Sequence, residues 1–197
     1  RAKAARKFKA TTQSNHNLPV AENLLKQNVH AVQPNQKWEG DITYLWTDEG
    51  WLYLAGVKDL FSGELVGYAM SKRMTTPLVM QALFRAIAAK RPGKGLLHHS
   101  DRGSQYCAHA YQKLLRQFGM QASMSRKGNC WDNAPMESFC GALKSELVHH
   151  RRFSTREQAR REIDEYLEIV YNRIRQQARL GYLSLLLPST RNTMQER

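Results

Sequence analysis

The chain has 197 residues, 42% apolar and 24% charged, the proportions of an ordinary globular domain, which exclude a collagen-like, coiled-coil or wholly disordered chain. Thirty Lys and Arg stand against seventeen Asp and Glu, a formal charge of +13 that points to a polyanionic partner, nucleic acid first. No apolar run reaches the roughly 18 residues of a membrane span. Three cysteines form no CxxC pair, and the basic start Arg1–Lys9 lacks the apolar stretch of a secretory signal, so no membrane, disulfide framework or structural zinc is expected and a cytoplasmic setting is.

Residues 1–37 are basic, then polar, with Pro19 and Pro34 and little periodicity, and read as an arm or the remnant of an upstream module without a core of its own. The absence of an initiator Met is what a fragment would give. From Trp38 the texture changes. Asp41–Trp46, Trp51–Val57 and Glu64–Met70 are rich in aromatic and β-branched residues and separated by short turns, which predicts an antiparallel meander. Thr76-Pro77 reads as an N-cap and first helical position, with Val79, Leu83 and Ile87 at helical spacing until Pro92. Leu96–His99 is a short strand candidate, His109–Phe118 a helix stopped by Gly119, and Gln121–Met124 another strand. A helix over Pro135–Val148 buries Met136, Cys140, Leu143 and Leu147. Ser154-Thr155-Arg156-Glu157 has capping-box form and opens a last long helix with Ile163, Leu167, Val170 and Ile174 on one face. This order predicts a mixed five-stranded α/β sheet flanked by helices, with a catalytic core over 38–150 and a C-terminal helix and tail over 151–197.

Three carboxylates stand where their chemistry needs a reason. Asp41 opens an apolar strand, where an unpaired carboxylate is costly. Asp101 ends another strand, at the edge where α/β sites form. Glu137 lies on the first turns of the third helix, at the border of its apolar face. Singly, each reads as readily as a cap, a turn former or a solvated side chain. Together, in a strongly basic domain, they are the hard oxygen ligands that hold two Mg²⁺ ions roughly 4 Å apart for phosphoryl transfer. Lys144, two turns after Glu137 on the same face, is placed to contact a phosphate.

Asp41, Asp101 and Glu137, the last two separated by thirty-five residues, resemble the D,D-35-E triad of integrase-core transposases and retroviral integrases. The words around them, Trp38–Tyr44, His99–Tyr106 and Asn129–Phe139, are similar to those of bacterial insertion-sequence transposases made by fusing two overlapping reading frames. Tyr171-Asn172-Arg173 and Leu180–Ser184 resemble that family's C-terminal signature. The resemblance implies a ribonuclease H-like fold and a Mg²⁺-dependent enzyme, with Mn²⁺ as substitute, that cuts one strand at an element end and transfers the freed 3′-hydroxyl to target DNA. It implies Asp41, Asp101 and Glu137 as metal ligands, and Lys144, Arg102 and Asn133 as DNA-contacting or loop-positioning residues. It also implies double-stranded DNA as partner and a homo-oligomer. The family's upstream helix-turn-helix and coiled coil are not read before Trp38, so the sequence-reading module is expected to be missing.

His98-His99 and His149-His150 invite metal readings, but neighbours in a strand point to opposite faces and cannot easily share an ion. Trp38, Trp46 and Trp51 belong to strands, where aromatics usually fill cores, which leaves Trp131 as the DNA-contact candidate. Arg151 and Arg152, with Arg156, Arg160 and Arg161, form a cluster suited to phosphates without sequence choice. Two alternatives use the same features: a hydrolysis-only nuclease of the same fold, and a catalytically idle DNA-binding relic.

Overall fold

The structure, a computed structural model, describes residues 16–127 and 129–174. The basic start at Arg1–Lys9 and the signature at Leu180–Ser184 lie outside the described residues. Strands β1 (Lys37–Thr47), β2 (Gly50–Asp59) and β3 (Leu65–Ser71) form the expected antiparallel meander; β4 (Leu97–Ser100) and β5 (Gln121–Met124) join parallel, giving the order β3-β2-β1-β4-β5. The helices are α1 (Thr76–Lys90), α2 (Ser104–Cys107), α3 (His109–Gln117), α4 (Ala134–Glu146) and α5 (Arg156–Glu165), the last running into a π-helical stretch Tyr166–Ile174. The mixed five-stranded α/β sheet is therefore as the pattern predicts.

Strand alternation divides the core between the two sheet faces. Trp38, Ala55, Val57 and Val66 pack with Leu83 of α1 and Leu115 of α3, while Leu45, Leu52 and Leu54 pack with Met136, Phe139 and Leu143 of α4 and Ile163, Leu167 and Tyr171. Close seating of α1 depends on Gly67: a Cβ there would lie 2.6 Å from the Ala82 carbonyl oxygen and 2.7 Å from Ala86 Cα. The β2–β3 turn is organised by buried Asp59, whose carboxylate accepts from the backbone N–H groups of Phe61 (3.0 Å) and Ser62 (2.7 Å) and from the Trp38 indole (3.2 Å). Gly63, at φ +82°, completes the turn in a conformation that favours glycine.

The two outer strands are covered by side chains and loop. On β3, the Asn172 amide both accepts from Leu65 N–H (3.0 Å) and donates to Leu65 C=O (3.1 Å), and Arg85 and Arg160 donate to the carbonyls of Tyr68 (3.0 Å) and Met70 (2.8 Å). On β5, Met124 N–H reaches Glu22 C=O (3.3 Å), and the N–H groups of Leu24 and Leu25 donate to Ser123 Oγ (2.9 and 3.1 Å).

Several local expectations shift. The segment from residue 16 onward does contribute to the core, for Leu25 is buried and Leu18 and Ala21 pack against the α1-side cluster. It lacks periodicity because it crosses the core as an irregular strap. The N-cap of α1 is Thr75, one residue earlier than read, and α5 is capped by Thr155, not Ser154. There Thr155 Oγ1 accepts from Gln158 N–H while Gln158 Oε1 accepts from Ser154 N–H, both at 3.0 Å, a capping box displaced by one residue. Trp38 is core as read, but Trp46 and Trp51 are exposed because the end of the β1–β2 hairpin is left open on the face that α1 covers elsewhere, while Leu45 and Leu52 on its other face are buried.

Candidate active site

Parallel pairing of β1 and β4 covers only Lys37–Gly40 of β1. Beyond Gly40 the β1 backbone leaves its neighbour, and Asp41 emerges there while Asp101 follows Ser100 at the end of β4. The topology thus brings two residues sixty apart in sequence to one opening of the sheet. Both are half-buried. Asp41 Oδ1 accepts from Ile42 N–H and Asp101 Oδ1 from Gly103 N–H, each at 2.8 Å, which fixes both carboxyl groups locally. Burial, then the facing Asp101 carboxylate, push Asp41 up to about 7. Like charges held in a partly desolvated opening are an arrangement that a hard divalent cation relieves, so the donor set fits such an ion.

Glu137 sits on the first turn of α4 with an exposed side chain, and partial desolvation raises its carboxyl above the usual range. Its charge acts on Asp41, more weakly than that of Asp101. Among the described residues no group of three or more His, Cys, Asp or Glu side chains closes around a single point tightly enough to hold a metal. The three carboxylates share one electrostatic neighbourhood without forming a closed ligand shell.

Lys144 is half-buried on the same helix; its Nζ lies 5.4 Å from the Tyr44 ring centroid, and its charge lowers Asp41 against the carboxylates that raise it. Arg102 is tied into the loop after Asp101: its Nε donates to Ser125 C=O, and its own carbonyl meets His16 Nε2 at 2.9 Å. Trp131 is 73% exposed in the turn before α4. Asn133 is buried with no hydrogen-bond partner for Oδ1, at the N-terminus of α4. Arg151 and Arg152 face Glu162 (3.5 Å) and Asp48 (3.3 Å), with side chains still 62% and 86% exposed. The histidine pair is structural: His98 meets the Tyr111 hydroxyl (3.0 Å), and His99 meets Ser123 (2.8 Å) and Ser125 (3.1 Å) on the other face.

Two groups escape the sequence reading. Glu39, two residues before Asp41 on the same face, is fully buried with neither carboxylate oxygen hydrogen-bonded, and burial followed by the Asp41 charge push it up to about 8. Its strand partner Lys58 donates to Pro135 C=O (3.0 Å) at the start of α4, so a buried acid and base lie between sheet and helix. Asp132 is the second. It accepts from Asn23 Nδ2 (2.8 Å), Gln27 Nε2 (3.1 Å) and Arg126 N–H, Nε and Nη2 (2.8, 3.1 and 3.0 Å), binding the strap to the loop that precedes Glu137. The Glu39 signal was a charged residue inside an apolar strand, the same signal that singled out Asp41.

The family model described as integrase core domain matches residues 31–130, and a second integrase core domain model matches 137–186. An uncharacterized 31 kDa protein of insertion element IS600 from Shigella sonnei is 58% identical over 184 residues, covering 93% of this chain and 68% of its own length. Transposase InsF for insertion sequence IS3A from Escherichia coli K12 is 49% identical over the same length, 93% of this chain and 64% of its own. The chain thus spans about two thirds of these relatives. The HTLV-2 integrase catalytic core domain in complex with magnesium, trimeric form, superposes with a TM-score of 0.61 at 18% identity, covering 78% of this chain and 99% of that one. A chain of the simian T-cell lymphotropic virus intasome in complex with a PP2A regulatory subunit gives a TM-score of 0.56 at 24% identity, over 71% of this chain and 47% of that one. The fold is that of these ribonuclease H-like cores.

Proposed function

The chain belongs to the integrase core domain family, and from that premise we propose that it is the catalytic part of an insertion-sequence transposase, a metal-dependent polynucleotidyl transferase acting on double-stranded DNA. The observation that carries the reading is the meeting of Asp41 and Asp101 at the opening between β1 and β4, with Glu137 and Lys144 above it on α4. In this reading Asp41, Asp101 and Glu137 hold divalent cations, Mg²⁺ or Mn²⁺, which activate the attacking oxygen and stabilise the leaving one when bound. Asp41 and Asp101 enter already oriented by their bonds to Ile42 and Gly103. Glu137 completes the set from α4, and Lys144 meets the phosphate beside them. Water attacks the phosphodiester at the element end and displaces its 3′-oxygen as a hydroxyl; that hydroxyl then attacks a target phosphodiester, forming a new P–O bond as the target strand's own 3′-oxygen is displaced and takes up a proton. Trp131, Asn133, Arg102, Arg151 and Arg152 are the proposed DNA contacts. Two ends must be handled together, so a homo-oligomer belongs to the reading, in the bacterial cytoplasm. No described helix is long and apolar enough to cross a membrane.

The test is incubation with a labelled duplex bearing a pre-cut 3′-hydroxyl end, with Mg²⁺ or Mn²⁺. Wild type yields joined strands, and Asp101→Asn and Glu137→Gln each lose more than ~100-fold in joining rate while keeping salt-sensitive DNA binding. Nicking without joining would instead support a hydrolysis-only nuclease. DNA binding without any metal-dependent chemistry would support the idle relic.

A further inference from the structure

Four aromatic side chains line one face of the β1–β2 hairpin: Tyr44 pairs with Tyr53 and Trp46 with Trp51 across the strands. Their rings interlock, with centroids 5.0 Å apart for Tyr44–Trp51, 4.9 Å for Trp46–Trp51 and 6.2 Å for Tyr44–Tyr53, the first two edge to face. Residues of the same alternation nearer the strap, Trp38, Ala55 and Val57, enter the core. The strip therefore starts under α1 and ends in solvent, with Trp46 56% and Trp51 43% exposed. A contiguous exposed aromatic surface is costly in water and marks a binding surface.

Its surroundings favour a nucleic-acid occupant. Asp48 and Glu49 at the hairpin tip, whose charges would repel a phosphate chain, are met by guanidinium groups: Arg152 pairs with Asp48 at 3.3 Å, and Arg156 donates to the Trp51 carbonyl at 3.0 Å and approaches Glu49. The same contacts brace the strip against the start of α5. At its inner end, the Lys144 ammonium lies 5.4 Å over Tyr44, three residues along β1 from Asp41. From Asp41 to Trp46 is five residues, about 17 Å of extended strand. Alternation puts Asp41 on the sheet face opposite to the strip, and the Lys144 ammonium, over Tyr44 and acting on Asp41, relates the two where β1 is no longer paired with β4.

We propose that Tyr44, Trp46 and Trp51 form a stacking platform for unpaired bases of the DNA strand whose backbone runs past Asp41 and Asp101, with Lys144 on the intervening phosphate. This rests on the reading of the chain as a DNA-processing integrase core. Every base offers a π-face, so the platform holds a frayed strand without choosing its sequence.

Fluorescence anisotropy without divalent cations tests it, using one duplex as a blunt probe and as a probe with a short unpaired tail. Wild type binds the tailed probe more tightly, and Trp46→Ala cuts the tailed-to-blunt affinity ratio by ~10-fold, the scale of one lost base–aromatic stack. Trp46→Phe, which keeps a ring, retains most of the preference and serves if the alanine variant fails to fold. Quenching of intrinsic tryptophan fluorescence by the tailed probe falls in parallel. A ratio equal to one in wild type, or unchanged in Trp46→Ala, overturns the platform. An unchanged ratio with a drop in molar mass by light scattering would assign the strip to contact between copies of the chain. Wild-type joining of a pre-cut end is read separately: joining without tail preference rejects only the platform, and tail preference without joining rejects only the enzymatic reading.

Discussion

Asp132 joins three stretches of chain through one carboxylate: the strap through Asn23 and Gln27, the loop after β5 through Arg126, and its own turn before α4. The hydrogen bonds from Arg126, foremost, hold its carboxyl well below the usual carboxylate range. Asp132→Ala removes the acceptor shared by half-buried Asn23 and exposed Gln27 and Arg126, which can turn to water, and is expected to cost about 1 kcal/mol by chemical denaturation. Limited proteolysis should then cut the strap near Asn23 well before the core. The distinction between Asp132 and Asp41 was not available in the sequence. Both are acids in apolar or turn-rich surroundings, and only the fold shows that Asp132 is surrounded by donors while Asp41 faces another carboxylate. Glu39 was passed over for a related reason. A strand acid reads as functional or structural according to what lies opposite it, and its opposite, Lys58, is nineteen positions away.

The packing of α1 on β3 runs through Gly67, where the helix backbone at Ala82 and Ala86 occupies the space of a side chain. Gly67→Ala is expected to destabilise by about 1–3 kcal/mol through overpacking, read as a lower thermal midpoint. Backbone atoms cannot swing aside as a flexible side chain would, so Gly67→Ser should be no better tolerated. Elements with strong period were legible: all five strands and α1, α3 and α4 fall within a few residues of expectation. Those governed by single contacts were not. The one-turn α2 is too short to display a period, and the strap is anchored by Leu25 and a few hydrogen bonds. Exposure of Trp46 and Trp51 depended on how far the hairpin projects past α1, a relation between lengths of different elements.

The molecule carries +13 at neutral pH, and acid adds to that charge. Burial pulls His98 down to about 3 and His99 to about 4 from an ordinary 6.5. The unfolded chain therefore takes up these protons first. Their contribution to stability is complete above the ordinary value and drains away as pH falls below it, whereas the raised Glu39 and Asp41 act in the opposite sense. Replacing His98 isolates its share: His98→Gln should flatten the dependence of unfolding free energy on pH by about 1.4 kcal/mol per unit between about pH 6 and about pH 4, one proton's worth. An equal slope in both proteins would mean that His98 takes up its proton in the folded state. At this scale the sheet's outer strands also matter. Asn172, Arg85 and Arg160 spend their polar groups on the carbonyls of Leu65, Tyr68 and Met70, while on β5 the strap carbonyl of Glu22 accepts from the Met124 N–H. An unpaired strand border is a template on which a second chain can polymerise, and these borders are already read by the molecule's own side chains. If, as proposed, copies gather on DNA, they would meet through faces and projecting side chains, which would keep a crowded, highly charged assembly from sliding into a fibril.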